Sequence, residues 1–133
     1  MGELPVPLII HAPNLISPEV DHTFGSLPDL LPTIVGLFPQ TYLNTSLGRD
    51  LAWAKGKNLP TYGFLQASRT SVAFNGDQIA SVNHVTGQVI SANIDDQGRA
   101  LMTKQNNPMV EAAKAYYLAS QYLLKANVKK SKK

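Results

Sequence analysis

The apolar positions of the chain change their spacing three times, and each change marks a different kind of element. Residues 6 to 10, Val6-Pro7-Leu8-Ile9-Ile10, run apolar without alternation up to His11. A strand that reads this way is buried on both faces, as in a parallel sheet flanked by helices. Pro13-Asn14 ends it, and a loop from Asn14 to Thr23, turning at Ser17-Pro18, leads onward. At Ser26 the spacing becomes helical. Ser26 caps, Asp29 three residues later completes a capping-box variant at the positive end of the helix dipole, and Pro32 falls in or just after the first turn. Leu30, Leu31, Ile34, Val35, Leu37 and Phe38 then cover most of the helix circumference until Pro39 stops it. A short helix that is apolar nearly all round is expected to be buried. Gly48-Arg49-Asp50-Leu51-Ala52-Trp53 reads as a short helix or turn closing this first half.

Beyond Gly56 and Pro60 the period drops to two. Tyr62 to Gln66, Ser71 to Phe74, Gln78 to Val82 and Gln88 to Ile94 read as short strands. Asn75-Gly76 between the second and third predicts a tight type I′ hairpin, because both residues tolerate positive φ. Thr86-Gly87 and Gln97-Gly98 punctuate the remainder. Val89, Ser91 and Asn93 alternate with Ile90, Ala92 and Ile94, so the pattern predicts a four-stranded antiparallel meander with one covered face. The last change restores a helical period. Asn107 caps, Pro108 takes the first helical position, and Met109, Ala113, Tyr116, Ser120 and Leu123 recur at spacings of three and four, with Val110, Tyr117 and Leu124 beside them. This helix is expected to lie across the meander, with Tyr116, Tyr117 and Tyr122 as packing rather than a ligand-stacking surface.

The fold class is therefore α/β or α+β, in three stretches. Residues 1–56 hold a strand and helix from a larger α/β sheet, 57–128 hold the antiparallel sheet and its C-terminal helix, and 129–133 form a basic tail. A chain of 133 residues can bury roughly two-thirds of its unfolded surface, so a core is possible without staples. There are no cysteines, which removes disulfides, thiolate metal sites and cysteine nucleophiles. Net charge is +3, yet Lys129, Lys130, Lys132 and Lys133 account for four of the twelve basic residues; the rest of the chain carries eight against nine acidic. A nearly neutral body with a solvated basic end does not point to nucleic acid. No segment reaches the ~18 to 20 apolar residues of a membrane helix. Leu4 to Ile10, preceded by Glu3 and interrupted by Pro5 and Pro7, is a poor signal peptide.

Complete catalytic constellations are missing from the sequence. His11, His22 and His84 are too far apart for the close ligand pair of a zinc site. Asp21-His22 could be half of an acid–base pair but reads better as loop. Gly48-Arg49-Asp50 and Thr86-Gly87 lack the glycines and lysine of a phosphate cradle, Asp95-Asp96 before Gln97-Gly98 are turn formers, and no Gly-x-Ser-x-Gly elbow occurs. No catalytic, cofactor-binding or metal-binding residue is assigned.

The order of segments nevertheless resembles a known family. Val6 to Pro13, then Asp21-His22-Thr23-Phe24-Gly25-Ser26, then Asp29-Leu30-Leu31-Pro32-Thr33 through Leu37, then Gly48-Arg49-Asp50-Leu51, is similar to the closing part of sulfatase-like enzymes of the alkaline phosphatase superfamily. The lipoteichoic acid synthase and phosphoglycerol transferase branch is the nearest in pattern. The resemblance covers residues 5 to 53 most specifically. It implies that the Asp-x-x-Pro-Thr helix is scaffold, and that the divalent metal site and the threonine nucleophile belong to a catalytic half upstream. Asp21-His22 follows the Val6 strand rather than preceding it, so it does not match the family's metal-binding pair. The implied protein is the non-catalytic C-terminal segment of a membrane-anchored phosphoglycerol transferase or sulfatase-like hydrolase acting on phosphate or sulfate esters. On this reading the segment is inactive alone, is itself soluble, and faces away from the cytoplasm. Its implied partner is the missing N-terminal half. Without that half the Val6–Ile10 strand has unpaired backbone groups and is expected to self-associate. The alternative is a stand-alone interaction module using the meander and the tyrosine-bearing helix.

Overall fold

The computed structural model describes residues 7–97, 99–103 and 107–130, with the side chains of 127–130 left aside. The fold is α+β. Two short helices, α1 (Leu27–Gly36) and α2 (Leu51–Gly56), precede strands β1 (Gly63–Ala67), β2 (Thr70–Phe74), β3 (Gln78–Asn83), β4 (Val89–Ile94) and β5 (Ala100–Met102), and a long helix, α3 (Pro108–Lys130), closes the chain. The five strands form one antiparallel meander in sequence order. The expected four-stranded sheet thus gains a fifth strand: Ala100-Leu101-Met102 is too short to read as β by itself, but it pairs with Ala92 to Ile94 across the Asp95 turn.

Small residues set how closely α3 approaches the sheet. Ala73 lies opposite Ala80, and Ala80 opposite Ser91, so a row of small side chains faces the helix. Ala73, Ala80, Val82, Met109 and Ala113 form the buried core, with Tyr62, Phe64, Val110 and Ala112 packed around it. The approach is close enough for Ser71 Oγ to donate to the Ala113 carbonyl at 2.9 Å. At the start of α3, Asn107 Oδ1 accepts the Met109 N–H at 2.9 Å, the capping bond that the Asn-Pro pair predicts.

The turns use side chains more than strained backbone. Asn75-Gly76 is not a type I′ turn, since neither residue has positive φ. Asn75 Oδ1 instead accepts the N–H groups of Asp77 and Gln78, an Asx turn that removes the need for left-handed backbone. Asn83 Oδ1 does the same for Val85 and Thr86, with Gly87 at φ 72 completing the bend. Between β1 and β2 the left-handed position is Ser68, at φ 54. Asp95 organises the last turn by accepting from Gln97 N–H, Arg99 N–H and Arg99 Nε.

The first half departs further from expectation. Residues 7–11 are not a strand, and Val6 lies outside the described residues. Ile9 is 86% exposed. A strand needs neighbours to satisfy its N–H and C=O groups, and among the described residues the sheet consists of β1 to β5 paired with one another. The helix α1 forms where the spacing predicts, but it is not buried all round. Asp29, Pro32 and Thr33 are its buried residues, whereas Leu27 and Leu31 are 85% and 68% exposed. The seam that packs is Asp29, Pro32 and Thr33, with Gly36 against Asp50 at its end, spaced i, i+3, i+4, i+7; two of these four residues are polar and no leucine is among them.

Glycines let the segment around α2 close against that seam. Pro32 has no N–H, so the Pro28 carbonyl loses its helical partner. Gly48 lies against that carbonyl, where an added Cβ would sit 1.7 Å from the oxygen. Because the obstacle is backbone, Gly48→Ala is expected to cost about 1–3 kcal/mol or more. Gly56 ends α2 with open space where its Cβ would be, so Gly56→Ala is expected to stabilise by about 0.4–1 kcal/mol. Thermal melts of the two variants should move in opposite directions.

Candidate functional site

Burying an aspartate demands partners, and Asp29 has five donors. Its Oδ2 accepts from Ser26 N–H at 2.8 Å, Ser26 Oγ at 3.1 Å and Arg49 Nη2 at 3.0 Å; its Oδ1 accepts from Arg49 N–H at 2.7 Å and Arg49 Nε at 3.1 Å. The guanidinium therefore grips the carboxylate as a two-pronged fork. One turn on, Thr33 Oγ1 donates to the Asp29 carbonyl at 2.7 Å and accepts the Leu51 N–H at 3.1 Å. Asp50 caps α2 by accepting the Trp53 N–H at 3.0 Å, and lies where a Gly36 Cβ would be. Side chains of Asp29 and Thr33 thus tie α1 to the Arg49–Leu51 segment through hydrogen bonds, while Asp50 packs against Gly36.

Arg49 also reaches the sheet. Its Nη2 donates to the Tyr62 carbonyl, and its guanidinium carbon stands 5.5 Å from the centre of the Phe64 ring. Phe64 in turn stacks on Tyr116 of α3, ring centres 4.4 Å apart. Among the described elements, α1 and α2 pack on each other while α3 packs on the strands, so this polar and aromatic line is a principal tie between the two groups. Burial and the nearby Asp29 charge both push the Tyr116 hydroxyl above its ordinary pKa.

Desolvation acts to raise the Asp29 pKa, but the hydrogen bonds from Arg49 and Ser26, with the Arg49 charge, outweigh it and hold the carboxyl below its ordinary 3.8. A folded value below the unfolded one means the stabilisation is complete above about pH 4 and fades as pH falls through the folded value. The urea midpoint is expected to be level from pH 7 to about 5 and to drop below about pH 4. Asp21 and Asp95 are also held low by hydrogen bonds and share that window. Asp29→Asn should flatten the drop in part; a drop as steep as the native one would show that Asp29 does not contribute.

A second cluster went unread in the sequence because its members are thirteen and more residues apart. Ser71 Oγ lies 2.7 Å from His84 Nε2, and the His84 ring stacks on Tyr117 with centres 3.6 Å apart. A serine beside a histidine invites a nucleophile–base reading. Two facts oppose it. Ser71 is 0% exposed, and its only proton goes to the Ala113 carbonyl, so Nε2 must donate rather than accept. The pair pins β2 and β3 to α3.

The remaining sequence candidates stay apart. Asp21 turns to Thr23 and Lys55, which also meets Glu19, rather than to His22. His11 and His22 are exposed. Asp95 forms its turn, as its sequence context predicts. Among the described residues no group of three or more His, Asp or Glu side chains could hold a metal ion, and no helix is long and apolar enough to cross a membrane. In comparisons with known proteins, no family model, no curated protein and no solved structure matches the chain.

Proposed function

We propose that this chain is the non-catalytic C-terminal segment of a metal-dependent phosphoglycerol transferase or sulfatase-like hydrolase. The observation that carries this reading is the use made of the motif residues. Asp29, Pro32 and Thr33 of the Asp-x-x-Pro-Thr helix, with Gly48, Arg49, Asp50 and Leu51, close on one another as a single polar knot. That is scaffold, the role the resemblance assigns to this helix. Exposed Leu8 and Ile9, and the apolar side of α1, are the kind of surface that a segment separated from a larger body presents.

In this reading the nucleophile and the divalent metal are supplied by an N-terminal half, outside the cytoplasm on a membrane-anchored parent. The residues described here position that half and perform no bond breaking. The gene sequence upstream of Met1 tests it. A continuous frame with a threonine nucleophile and an Asp-His pair before Val6 is expected; a natural start at Met1 with no such half contradicts it. A frame carrying a cysteine or serine nucleophile instead would place the parent among soluble sulfatases or phosphodiesterases.

The rival reading, an interaction module, draws on α3. Leu118 and Tyr122 are 68% and 72% exposed on the helix, although Tyr116 and Tyr117 are engaged in stacking within the fold.

A further inference from the structure

We infer that Asn75 is a site of covalent self-modification in the folded chain, its side-chain amide being lost through attack by the backbone nitrogen of Gly76. The reaction needs an activated acceptor carbon, a nitrogen not already held by a hydrogen bond, and room to close a five-membered ring. The β2–β3 turn supplies all three. Asn75 Oδ1 accepts two backbone N–H groups, from Asp77 at 3.0 Å and from Gln78 at 2.8 Å. These donors draw electrons from Cγ and stabilise the oxyanion that forms when it is attacked. The Gly76 N–H that must attack, and the Asn75 Nδ2 group that must leave, have no hydrogen-bond partner among the described residues. Gly76 is exposed and has no side chain to crowd the ring.

Water is the only reagent required. Gly76 N gives its proton to solvent and bonds to Asn75 Cγ, the Cγ–Nδ2 bond breaks, and ammonia departs with a proton, leaving a cyclic imide. Water then opens the imide on either side. Breaking the new Cγ–N bond gives an aspartyl residue, whose carboxylate still accepts from Asp77 and Gln78. Breaking the original peptide bond gives an isoaspartyl residue, which adds a methylene to the backbone of the turn that sets the Phe74–Ile79 pairing. The other asparagines show why the reaction selects this position. Asn83 has the same side-chain geometry, its Oδ1 accepting from Val85 and Thr86, but the next nitrogen, of His84, is held by the Arg69 carbonyl at 2.8 Å. After Asn14, Asn58 and Asn93 the nitrogens of Leu15, Leu59 and Ile94 are likewise held by backbone carbonyls. Asn44 precedes the β-branched Thr45.

This inference concerns one turn and does not rest on a catalytic half, so its failure leaves the upstream test untouched. Mass-spectrometric peptide mapping of the 133-residue chain, held in mildly alkaline buffer with and without urea, tests it. In the native chain the peptide holding Asn75 is expected to gain one mass unit, as NH2 is replaced by OH, and to separate into aspartyl and isoaspartyl forms. Dividing the native rate by the rate in urea cancels the intrinsic reactivity of each sequence. That ratio should be about fivefold or more higher at Asn75 than at Asn83, the equivalent of one hydrogen bond broken before attack. Gly76→Ala, checked for folding by circular dichroism, puts a methyl group on the attacking residue and should slow the native reaction. An Asn75 peptide that stays unchanged in the native chain while it converts in urea overturns the inference, as does an equal ratio at the two asparagines.

Discussion

Arg49→Ala is expected to destabilise the fold by about 3–5 kcal/mol, the cost of leaving a buried charge without its partner. The side-chain exposures decide which partner matters. Asp29 is 3% exposed and Arg49 29%, so removing the arginine strands a carboxylate away from water, whereas removing the aspartate leaves a guanidinium that water can reach. The same substitution withdraws the donor to the Tyr62 carbonyl and the cation over Phe64. Against a typical total stability of about 5–15 kcal/mol, the loss is large enough to leave a substantial unfolded population. Asp29→Ala should cost less than Arg49→Ala, and the double variant less than the sum of the two, because one interaction is being removed twice. Urea titrations of the four proteins measure this directly; additive effects would show that the pair is not coupled.

Met109→Ala is expected to cost about 2–5 kcal/mol, from lost burial and from the cavity left behind. Met109 is 1% exposed and sits in the core with Ala73, Ala80, Val82 and Ala113. Its neighbours are mostly alanines, which have no side-chain freedom with which to fill the space. The cost should therefore fall towards the upper part of that range. Leu118→Ala, on the exposed side of the same helix, should change stability by less than about 0.5 kcal/mol. Comparable losses at the two positions would mean that α3 does not pack on the sheet by the face described.

Legibility differed between the halves of the chain for a physical reason. In the sheet and α3 the packing faces are apolar, so alternation in β2 to β4 and the three-four spacing from Met109 onward carry the pattern openly, even though the residues that meet, such as Ser71 and Ala113, lie as much as 42 positions apart. Asn107 and Pro108 mark the start of α3 correctly because capping is a short-range effect. β5 was missed because three residues cannot show a period; its identity comes from pairing with β4. In α1 the periodicity was visible and its meaning was inverted. The leucines outnumber the polar residues on the helix, yet Asp29 and Thr33 pack inward because Arg49 and the Leu51 N–H, sixteen to twenty residues away, supply partners that a helix-by-helix reading does not contain. The Val6–His11 run has strand composition, but composition does not provide a neighbouring strand, and residues 7–11 remain unpaired within the sheet. Ser71 and His84 meet only through the β2–β3 register, which no spacing rule would have brought out.

Hydrogen bonds centred on Asp29 and Arg49, more than apolar burial, keep α1 and α2 folded onto the rest. Amide hydrogen exchange in the native protein and in Arg49→Ala tests this most directly. In the variant, amides of residues 29–36 and 49–54 are expected to lose protection while those of β2 and β3 keep theirs. Unchanged protection in α1 and α2, or loss that proceeds equally through the sheet, would contradict it.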